Sequence, residues 1–271
     1  MKVTIITTCF NRVDFIHEAI RSVMSQDYPD IEYVIVDGAS QDGSKEAIEK
    51  EVKVLESDEW KEKHPLFSVK FISEPDHSVY EALNKGIKIA TGDIIGLVHS
   101  DDFLYNKSTI SAVVKEFETT GADFIYANGL YVDYDNTRRV VRNWKSSRFS
   151  KARIRRAWLP LHTTCYIKRD KMLEVGPYNE NYKIASDTDF LIRALYEHNY
   201  KVNYLDRYVI TMRMGGMSTS MEHIKLMWSE DVAIFAAHGF PPVLSKTLKI
   251  MRKIPQFVTA KFFTQLPHHD I

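Results

Sequence analysis

The sequence predicts an α/β protein with a mostly parallel central sheet flanked by helices and a helical C-terminal extension. Three observations carry this. Short apolar runs alternate with helix-periodic segments through the first hundred residues. Several of these runs end abruptly in polar residues, most sharply in Gly92-Asp93-Ile94-Ile95-Gly96-Leu97-Val98-His99-Ser100-Asp101-Asp102. From Pro241 onward, apolar and basic residues intermix at helical spacing.

The elements follow in order. Lys2 to Thr8 is a strand around Val3-Thr4-Ile5-Ile6. Asp14 to Gln26 places Phe15, Ile16, Ala19, Ile20, Val23 and Met24 on one helical face. Tyr33-Val34-Ile35-Val36 is a strand, Gly43 to Leu55 a helix, and Val69-Lys70-Phe71-Ile72 a strand. His77 to Ala90 is helical with Leu83, Ile87 and Ala90 inward, and the strand Ile94 to Val98 follows. Such alternation means parallel βαβ units with right-handed crossovers. A helix over Lys107 to Thr119 and a strand over Asp123 to Tyr126 complete this part.

Beyond residue 126 the pattern changes. Gly129 to Asp133 and Arg138 to Trp144, joined around Asp135-Asn136, predict a hairpin. A basic segment, Lys145 to Arg156, precedes a strand over Thr164 to Ile167. Thr188 to His198 is a helix with Phe190, Leu191, Ala194 and Leu195 inward, and short strands lie near Val202 and Val209. The Met214 to Ser220 segment, with Gly215-Gly216, reads as a mobile loop. One domain over 1–215 is expected, followed by that loop and amphipathic helices over 216–271.

Composition narrows the function classes. A chain of 271 residues, 44% hydrophobic and 27% charged, has ample core for one large domain. Lys plus Arg equals Asp plus Glu at 36 each, so no bulk charge points to nucleic acid. Two cysteines, Cys9 and Cys165, rule out a disulfide framework and suit reduced, buried thiols. The chain starts on a strand rather than a basic-then-apolar leader, and it has no spanning-length apolar run. A cytoplasmic protein is expected. The tail mixes Lys246, Lys249, Arg252, Lys253 and Lys261 with Val243, Leu244, Phe257, Phe262 and Phe263. It can lie in a membrane interface, on the inner face of the cytoplasmic membrane, or pack on the core with its lysines wet.

Familiar nucleotide motifs are missing. Thr7-Thr8-Cys9-Phe10-Asn11-Arg12 has no glycine where a dinucleotide fingerprint needs three, there is no P-loop, and no Cys/His group has zinc spacing. What remains is polar residues at successive strand ends: Thr8 and Asn11, Asp37, Glu74-Pro75-Asp76, and Asp101-Asp102. In an open α/β sheet these share the ligand-binding edge. Adjacent carboxylates repel unless a cation neutralises them, and a divalent ion carrying a phosphorylated substrate does so. The alternatives are ordinary ones. Asp101 or Asp102 can cap the helix near Asn106, Asn11 can cap another, and Asp37 with Ser40 can form a turn.

Thr7-Thr8-Cys9-Phe10-Asn11-Arg12, Val36-Asp37-Gly38-Ala39-Ser40-Gln41-Asp42-Gly43-Ser44, Ser73-Glu74-Pro75-Asp76, Asn84-Lys85-Gly86 and His99-Ser100-Asp101-Asp102 resemble, in order, the inverting family 2 glycosyltransferases of GT-A fold. The likeness is to the branch used in bacterial O-antigen and exopolysaccharide assembly, and it covers residues 1 to about 215. It implies a Rossmann-like GT-A domain, with a nucleotide-sugar half over 1–105 and an acceptor half over 106–215. It also implies a nucleotide-sugar donor, usually a UDP-sugar, and Mg²⁺ or Mn²⁺. On this resemblance Asp102 is the metal ligand and Asp101 contacts metal or ribose. Thr8, Asn11, Asp37, Asp76 and Lys85 face the donor. Two departures stand out: Asp37-Gly38 where many members have Asp-Asp, and His99 in place of the first acid of Asp-x-Asp. His99 is then a ligand, a ribose contact or a packed histidine.

Ser186-Asp187-Thr188-Asp189 resembles the family's base motif, which makes Asp187 the base, with Asp189 beside it. Read alone, the same residues are an N-cap and a first-turn acid. The implied reaction is a single displacement, in which Asp187 takes the acceptor proton and inversion gives a β-linked product. His162 matches a histidine of this branch, near the acceptor. Arg138, Arg139, Arg142, Arg153, Arg155 and Arg156, together with the tail, would suit a polyprenyl-diphosphate-linked saccharide acceptor. No Gln-x-x-Arg-Trp motif of processive synthases is present, so one sugar is added per event. The competing classes are a nucleotidyltransferase, which lacks its phosphate loop here, and a catalytically inactive nucleotide-sugar or carbohydrate-binding protein.

Overall fold

The computed structural model describes residues 1–215 and 221–262, with the backbone alone at 221 and 222. Its strands are β1 (Val3–Cys9), β2 (Ile31–Asp37), β3 (Ser68–Ser73), β4 (Ile94–Leu97), β5 (Phe103–Leu104), β6 (Phe124–Val132), β7 (Val140–Trp144), β8 (Cys165–Lys168) and β9 (Val202–Arg213). Its helices are α1 (Ile16–Met24), α2 (Ser44–Glu56), α3 (Asp58–Lys63), α4 (Val79–Ile89), α5 (Thr109–Thr120), α6 (Lys151–Ile154), α7 (Arg169–Val175), α8 (Ser186–Ile192), α9 (Met221–Ala237), α10 (Pro242–Met251) and α11 (Ile254–Ala260).

Among the described residues the strands form one sheet in the order β3-β2-β1-β4-β8-β6-β9-β5, with β7 beside β6. The first four are mutually parallel, as the alternation predicts. Beyond β4 the sheet is mixed: β8 runs antiparallel to β4 and β6, whereas β6 and β9 are parallel. Successive strand residues enter opposite cores. Ile6, Val34, Val36 and Ile95 pack with α4 and α8, while Ile5, Tyr33, Ile35 and Ile94 pack with α1, α2 and α5. Both faces of β1, β2 and β4 are covered, which is why these three strands are buried along their whole length rather than on one side. Gly96 is required on β4, because a Cβ there would lie 2.4 Å from the Tyr166 ring of β8.

The second half departs from the sequence reading. The strand at Asp123 to Tyr126 and the first arm of the hairpin are one strand, β6, irregular at Asn128. Asn128 breaks the apolar pattern yet is buried. Its amide donates to Asp206 and its carbonyl accepts from the Ser146 N–H and the Tyr204 hydroxyl. The two short strands near Val202 and Val209 are likewise one, β9, with exposed Asp206 and Arg207 interrupting its hydrophobicity. α8 ends at Ile192 and passes into a π turn at Arg193–Glu197. α3, unanticipated, starts where the Ser57 hydroxyl accepts from the Trp60 N–H. Of the Met214 to Ser220 loop, 216–220 lie outside the described residues, as does Phe263 of the tail.

The tail is helical but its polarity is turned around. Lys246 and Lys249 point inward onto Asp231 of α9, at 2.5 and 2.7 Å. Val243, Leu244, Ile250, Met251, Ile254, Phe257, Val258 and Phe262 are exposed instead. A fully buried carboxylate needs cations more than the surface does, and that decides the orientation. No helix among the described residues is long and apolar enough to cross a membrane. Both cysteines are free and buried.

One buried acid ties the far edge of the sheet. Glu32 of β2, 1% exposed, accepts from Thr4, from both the N–H and hydroxyl of Thr91, and from Lys70 at 2.7 Å. Burial alone would raise its pKa, but the donors from Lys70, Thr91 and Thr4 outweigh that and hold it at about 2. A depressed carboxyl stabilises the fold above its ordinary value of 4.5 and loses that contribution as pH falls toward 2. The gain is about 3 kcal/mol at neutral pH. Glu32→Gln should therefore lower the urea midpoint at pH 7 and flatten its decline between about pH 5 and 2, read by unfolding curves across that range.

Candidate active site

The parallel ladders set the site. Cys9 pairs with Asp37, Asp37 with Ser73, and Ile6 with Leu97, so four strand ends stop along one edge. The loops after β1 and β2 are strapped together there. The Asn11 N–H donates to Ser40 Oγ, the Gln41 N–H to Asn11 Oδ1, and the Arg12 N–H to Ser44 Oγ. Asn11 adopts a left-handed φ of 51° to do this. It caps no helix, since α1 begins after Phe15.

Asp37 is fully buried and accepts from Ser73 Oγ and from both the N–H and hydroxyl of Ser40. It organises its own turn. The Asp76 carboxylate lies against Gly38, where an added Cβ would stand 2.6 Å from Asp76 Oδ2. Asp76 thus fills the space that a second acid of an Asp-Asp pair would need, which accounts for Gly38. Its pKa is raised by burial. Lys85 reaches the Pro75 carbonyl at 2.9 Å and pairs with Glu74 and Glu81. It holds the loop that presents Asp76.

Asp101 and Asp102 follow in a turn closed by the Asp102 N–H on the His99 carbonyl. Neither caps α5, whose first turn is met by Gln26 Oε1 on the Ile110 N–H and by Asn106 Oδ1 on the Ser108 N–H. Asp101 is partly exposed, 3.9 Å from Arg12 Nε. Asp102 is 2% exposed, and its Oδ2 is buried with no hydrogen-bond partner. Burial, with Asp101 beside it, pushes its pKa well above the ordinary value. An orphaned anionic oxygen at a ligand-binding edge fits a divalent cation. No group of three or more metal-binding side chains occurs among the described residues, so most ligands to an ion here would come from substrate and water.

Arg213 of β9 fixes this turn. It donates to the Asp101 carbonyl at 2.9 Å, pairs with Glu18 of α1 and stacks on Phe15 and Phe103. His99 has its Nδ1 3.4 Å from Thr8 Oγ1, and its ring is 6.3 Å from that of His162. Burial lowers the His99 pKa against the pull of Asp101 and Asp187. His162 is buried, with Nε2 2.5 Å from the Tyr178 hydroxyl, and burial holds it at about 3. It is neutral at physiological pH.

Asp187 joins this neighbourhood from α8. His99 feels both Asp101 and Asp187, and Tyr131 feels both Asp102 and Asp187. Asp187 Oδ1 accepts from the Thr188 N–H at 2.8 Å, inside the first turn rather than as an N-cap. Its pKa is raised, chiefly by burial, with Lys249 opposing and Asp231 adding. The start of α8 is held from α9. Glu230 accepts from the N–H groups of Lys183, Ile184 and Ala185, and Lys249 bridges Asp231 to Thr188 Oγ1. Asp189 is engaged elsewhere, with Arg193 at 2.9 Å and His238 at 3.0 Å.

Arg142, counted among the acceptor-facing arginines, is buried between Tyr131 and Trp144. Sequence reading did not single out Arg213, Tyr131, Glu230 or Asp231. Each is polar or aromatic within an apolar stretch, a weak signal until the fold brings distant segments together.

Comparison with known proteins gives the family and the fold. The glycosyl transferase family 2 model matches residues 4–175. The chain is 27% identical over 196 residues to an uncharacterized glycosyltransferase of Mycobacterium tuberculosis, covering 71% of this chain and 68% of that one. It is 24% identical to a PGL/p-HBAD biosynthesis glycosyltransferase of Mycobacterium bovis, covering 93% and 95%. Among solved structures, S. aureus TarS 1-349 in complex with UDP-GlcNAc aligns with a TM-score of 0.63 at 20% identity, covering 98% of this chain and 82% of that one. Mannosyltransferase PcManGT from Pyrobaculum calidifontis, in complex with GDP-Man and Mn²⁺, aligns at 0.61 and 18% identity, covering 96% and 73%. The fold is that of these GT-A enzymes.

Asp102→Asn removes a carboxyl whose ionisation burial disfavours and whose Oδ2 has no hydrogen-bond partner. It should stabilise the ligand-free protein by about 1–3 kcal/mol, raising the melting midpoint at pH 7 by several degrees in metal-free buffer.

Proposed function

The chain belongs to glycosyl transferase family 2, and from that premise we propose that it moves one sugar from a nucleotide-sugar donor, a UDP-sugar, to a saccharide hydroxyl with inversion. The observation that carries this is the buried, unpartnered Asp102 oxygen at the strand edge, with Asp187 in the same electrostatic neighbourhood. The UDP-GlcNAc and GDP-Man complexes of the structural neighbours support a nucleotide-sugar donor, and the second supports a divalent ion.

In this reading residues 1–105 hold the donor and 106–215 the acceptor. Thr8, Asn11 and Asp76 border the nucleoside, Asp37 holds the turn behind them, and Lys85 keeps Asp76 in place. Asp102, with Asp101, would hold Mg²⁺ or Mn²⁺. When bound, such an ion offsets the negative charge that grows on the departing diphosphate. His99, beside Thr8, lines the donor, and neutral His162 borders the acceptor. Asp187 accepts the acceptor's proton as its oxygen attacks the anomeric carbon from the opposite face. A raised pKa makes it a stronger base than an ordinary aspartate, at the cost of needing a higher pH to ionise.

Asp187→Asn should keep UDP affinity, by calorimetry with Mn²⁺, while kcat falls about 10²–10⁴-fold. In the wild type kcat rises with pH as Asp187 deprotonates, on a limb shifted above the ordinary carboxyl range. That limb should be missing from the variant. Near-full turnover by the variant would remove Asp187 from this role.

We also place the reaction at the inner membrane surface, in cell-surface polysaccharide assembly on a polyprenyl-diphosphate-linked acceptor. The exposed apolar surface of α10 and α11 supports this. Replacing Leu244, Met251 and Val258 together by serine should cut co-sedimentation with phosphatidylglycerol vesicles several-fold while leaving the melting midpoint in place. Undiminished sedimentation would discard the membrane contact.

A further inference from the structure

A second polar cluster lies where α11 meets β7. Arg142 of β7 is 6% exposed, and its guanidinium stacks on Tyr131 at 4.7 Å and Trp144 at 4.6 Å. Its Nε donates to Gln256 of α11 at 2.6 Å, but its Nη2 is buried with no hydrogen-bond partner. Lys253, between α10 and α11, is half-buried beside Arg142, Lys249 and Lys246. Its ammonium makes no hydrogen bond or ion pair among the described residues. Asp231 of α9 is the acid within reach, and Lys246 and Lys249 already share it.

Lys246 and Lys249 thus share one buried carboxylate, Lys253 stands beside them with no partner of its own, and Arg142 adds a fourth cation next to Lys253. Burying positive charge without a counter-ion is costly, and so is an orphaned guanidinium N–H. Such a cluster persists readily when an anion completes it. Its place relative to the reaction is fixed by Tyr131, which carries Arg142 over its ring and feels Asp102 and Asp187. Lys249 reaches Thr188, the residue after Asp187. Through Tyr131 and Lys249 the vacant hydrogen-bonding capacity is linked to the acid proposed as base.

We propose that Arg142, Lys253 and Lys249 form an anion site for a phosphate or diphosphate group of the acceptor. This rests on the glycosyl-transfer reading only for the word acceptor; the anion site itself stands on the cluster. Arg142 supplies a planar donor and the lysines compact charges, the pairing suited to phosphoryl oxygens. A group held there leaves the adjoining saccharide free to present its hydroxyl to Asp187.

The test is calorimetry in EDTA with inorganic pyrophosphate, and separately dimethylallyl diphosphate, on wild type, Lys253→Gln and Lys253→Arg. Both probes should bind the wild type, weaken about tenfold or more in Lys253→Gln and recover in Lys253→Arg. Lys253→Gln loses an unpartnered charge and should melt no earlier than wild type, so its weaker binding is not a folding defect. The groups facing Lys253 are Arg142, Lys249, Lys246 and Asp231, and burial with the three cations lowers its pKa to about 8. A bound anion favours the charged form, so binding near pH 8 should take up protons and weaken as pH rises further. That uptake should vanish in Lys253→Gln, which a merely structural lysine would not produce.

Tighter binding of dimethylallyl diphosphate than of pyrophosphate marks a lipid-linked source, and equal binding a free phosphate group; both support the site. No pyrophosphate binding by wild type, or equal affinity in Lys253→Gln, overturns it. UDP titration of the wild type with Mn²⁺ tests the donor reading separately. A protein that takes pyrophosphate but not UDP keeps the anion site and loses the glycosyl-transfer assignment.

Discussion

Three parallel ladders in continuous register bring the ends of β3, β2, β1 and β4 to one edge, and the chemistry of the molecule follows from that constraint. With both faces covered by helices, no strand can slip without moving apolar side chains into the wrong core. The register therefore fixes Thr8, Asp37, Asp76 and Asp101-Asp102 against one another. The loops add a second lock, because Asn11, Ser40 and Ser44 join two turns that are thirty residues apart in the chain. The result is an edge rich in acceptors, and at Asp102 one acceptor has no partner.

The other half of the chemistry arrives by a different route. Asp187 comes from a short helix whose first turn is held by Glu230 and by the Lys249 bridge from Asp231. Asp231 is 0% exposed, and its pKa is held down by Lys249 and Lys246 in spite of burial. A buried ion triad of this kind is weak evidence for stability but strong evidence for a defined geometry, since removing one partner leaves a naked charge. The C-terminal helices thus act as a buttress for the start of α8 and Asp187 as well as an apolar surface.

The acid-lined strand edge was legible in the chain because each of its parts is local. An apolar run followed by a polar turn marks a strand end, and repetition of that pattern marks a shared edge. Asp37, Asp76, Asp101 and Asp102 were found that way. The antiparallel half was less legible because its strands carry internal polar residues. Asn128 interrupts β6 and Asp206 interrupts β9, and each is tolerated because it hydrogen-bonds the other. The orientation of the tail is hidden from the sequence for a related reason. Lysines among apolar residues suggest a wet face, and only Asp231, hidden on another helix, turns two of them inward.

By itself the sequence determined the alternating α/β plan, the parallel order of the first strands and the acids at their ends, since these depend on periodicity and on turns a few residues long. Tertiary structure alone decided what those acids meet. Arg213 reaches Asp101 from more than a hundred residues away, Asp76 fills the space beside Gly38, and Tyr131 stands between Arg142 and the two key carboxylates. Such contacts depend on burial and electrostatics across the fold, and no local pattern encodes which distant side chain will share a low-dielectric site.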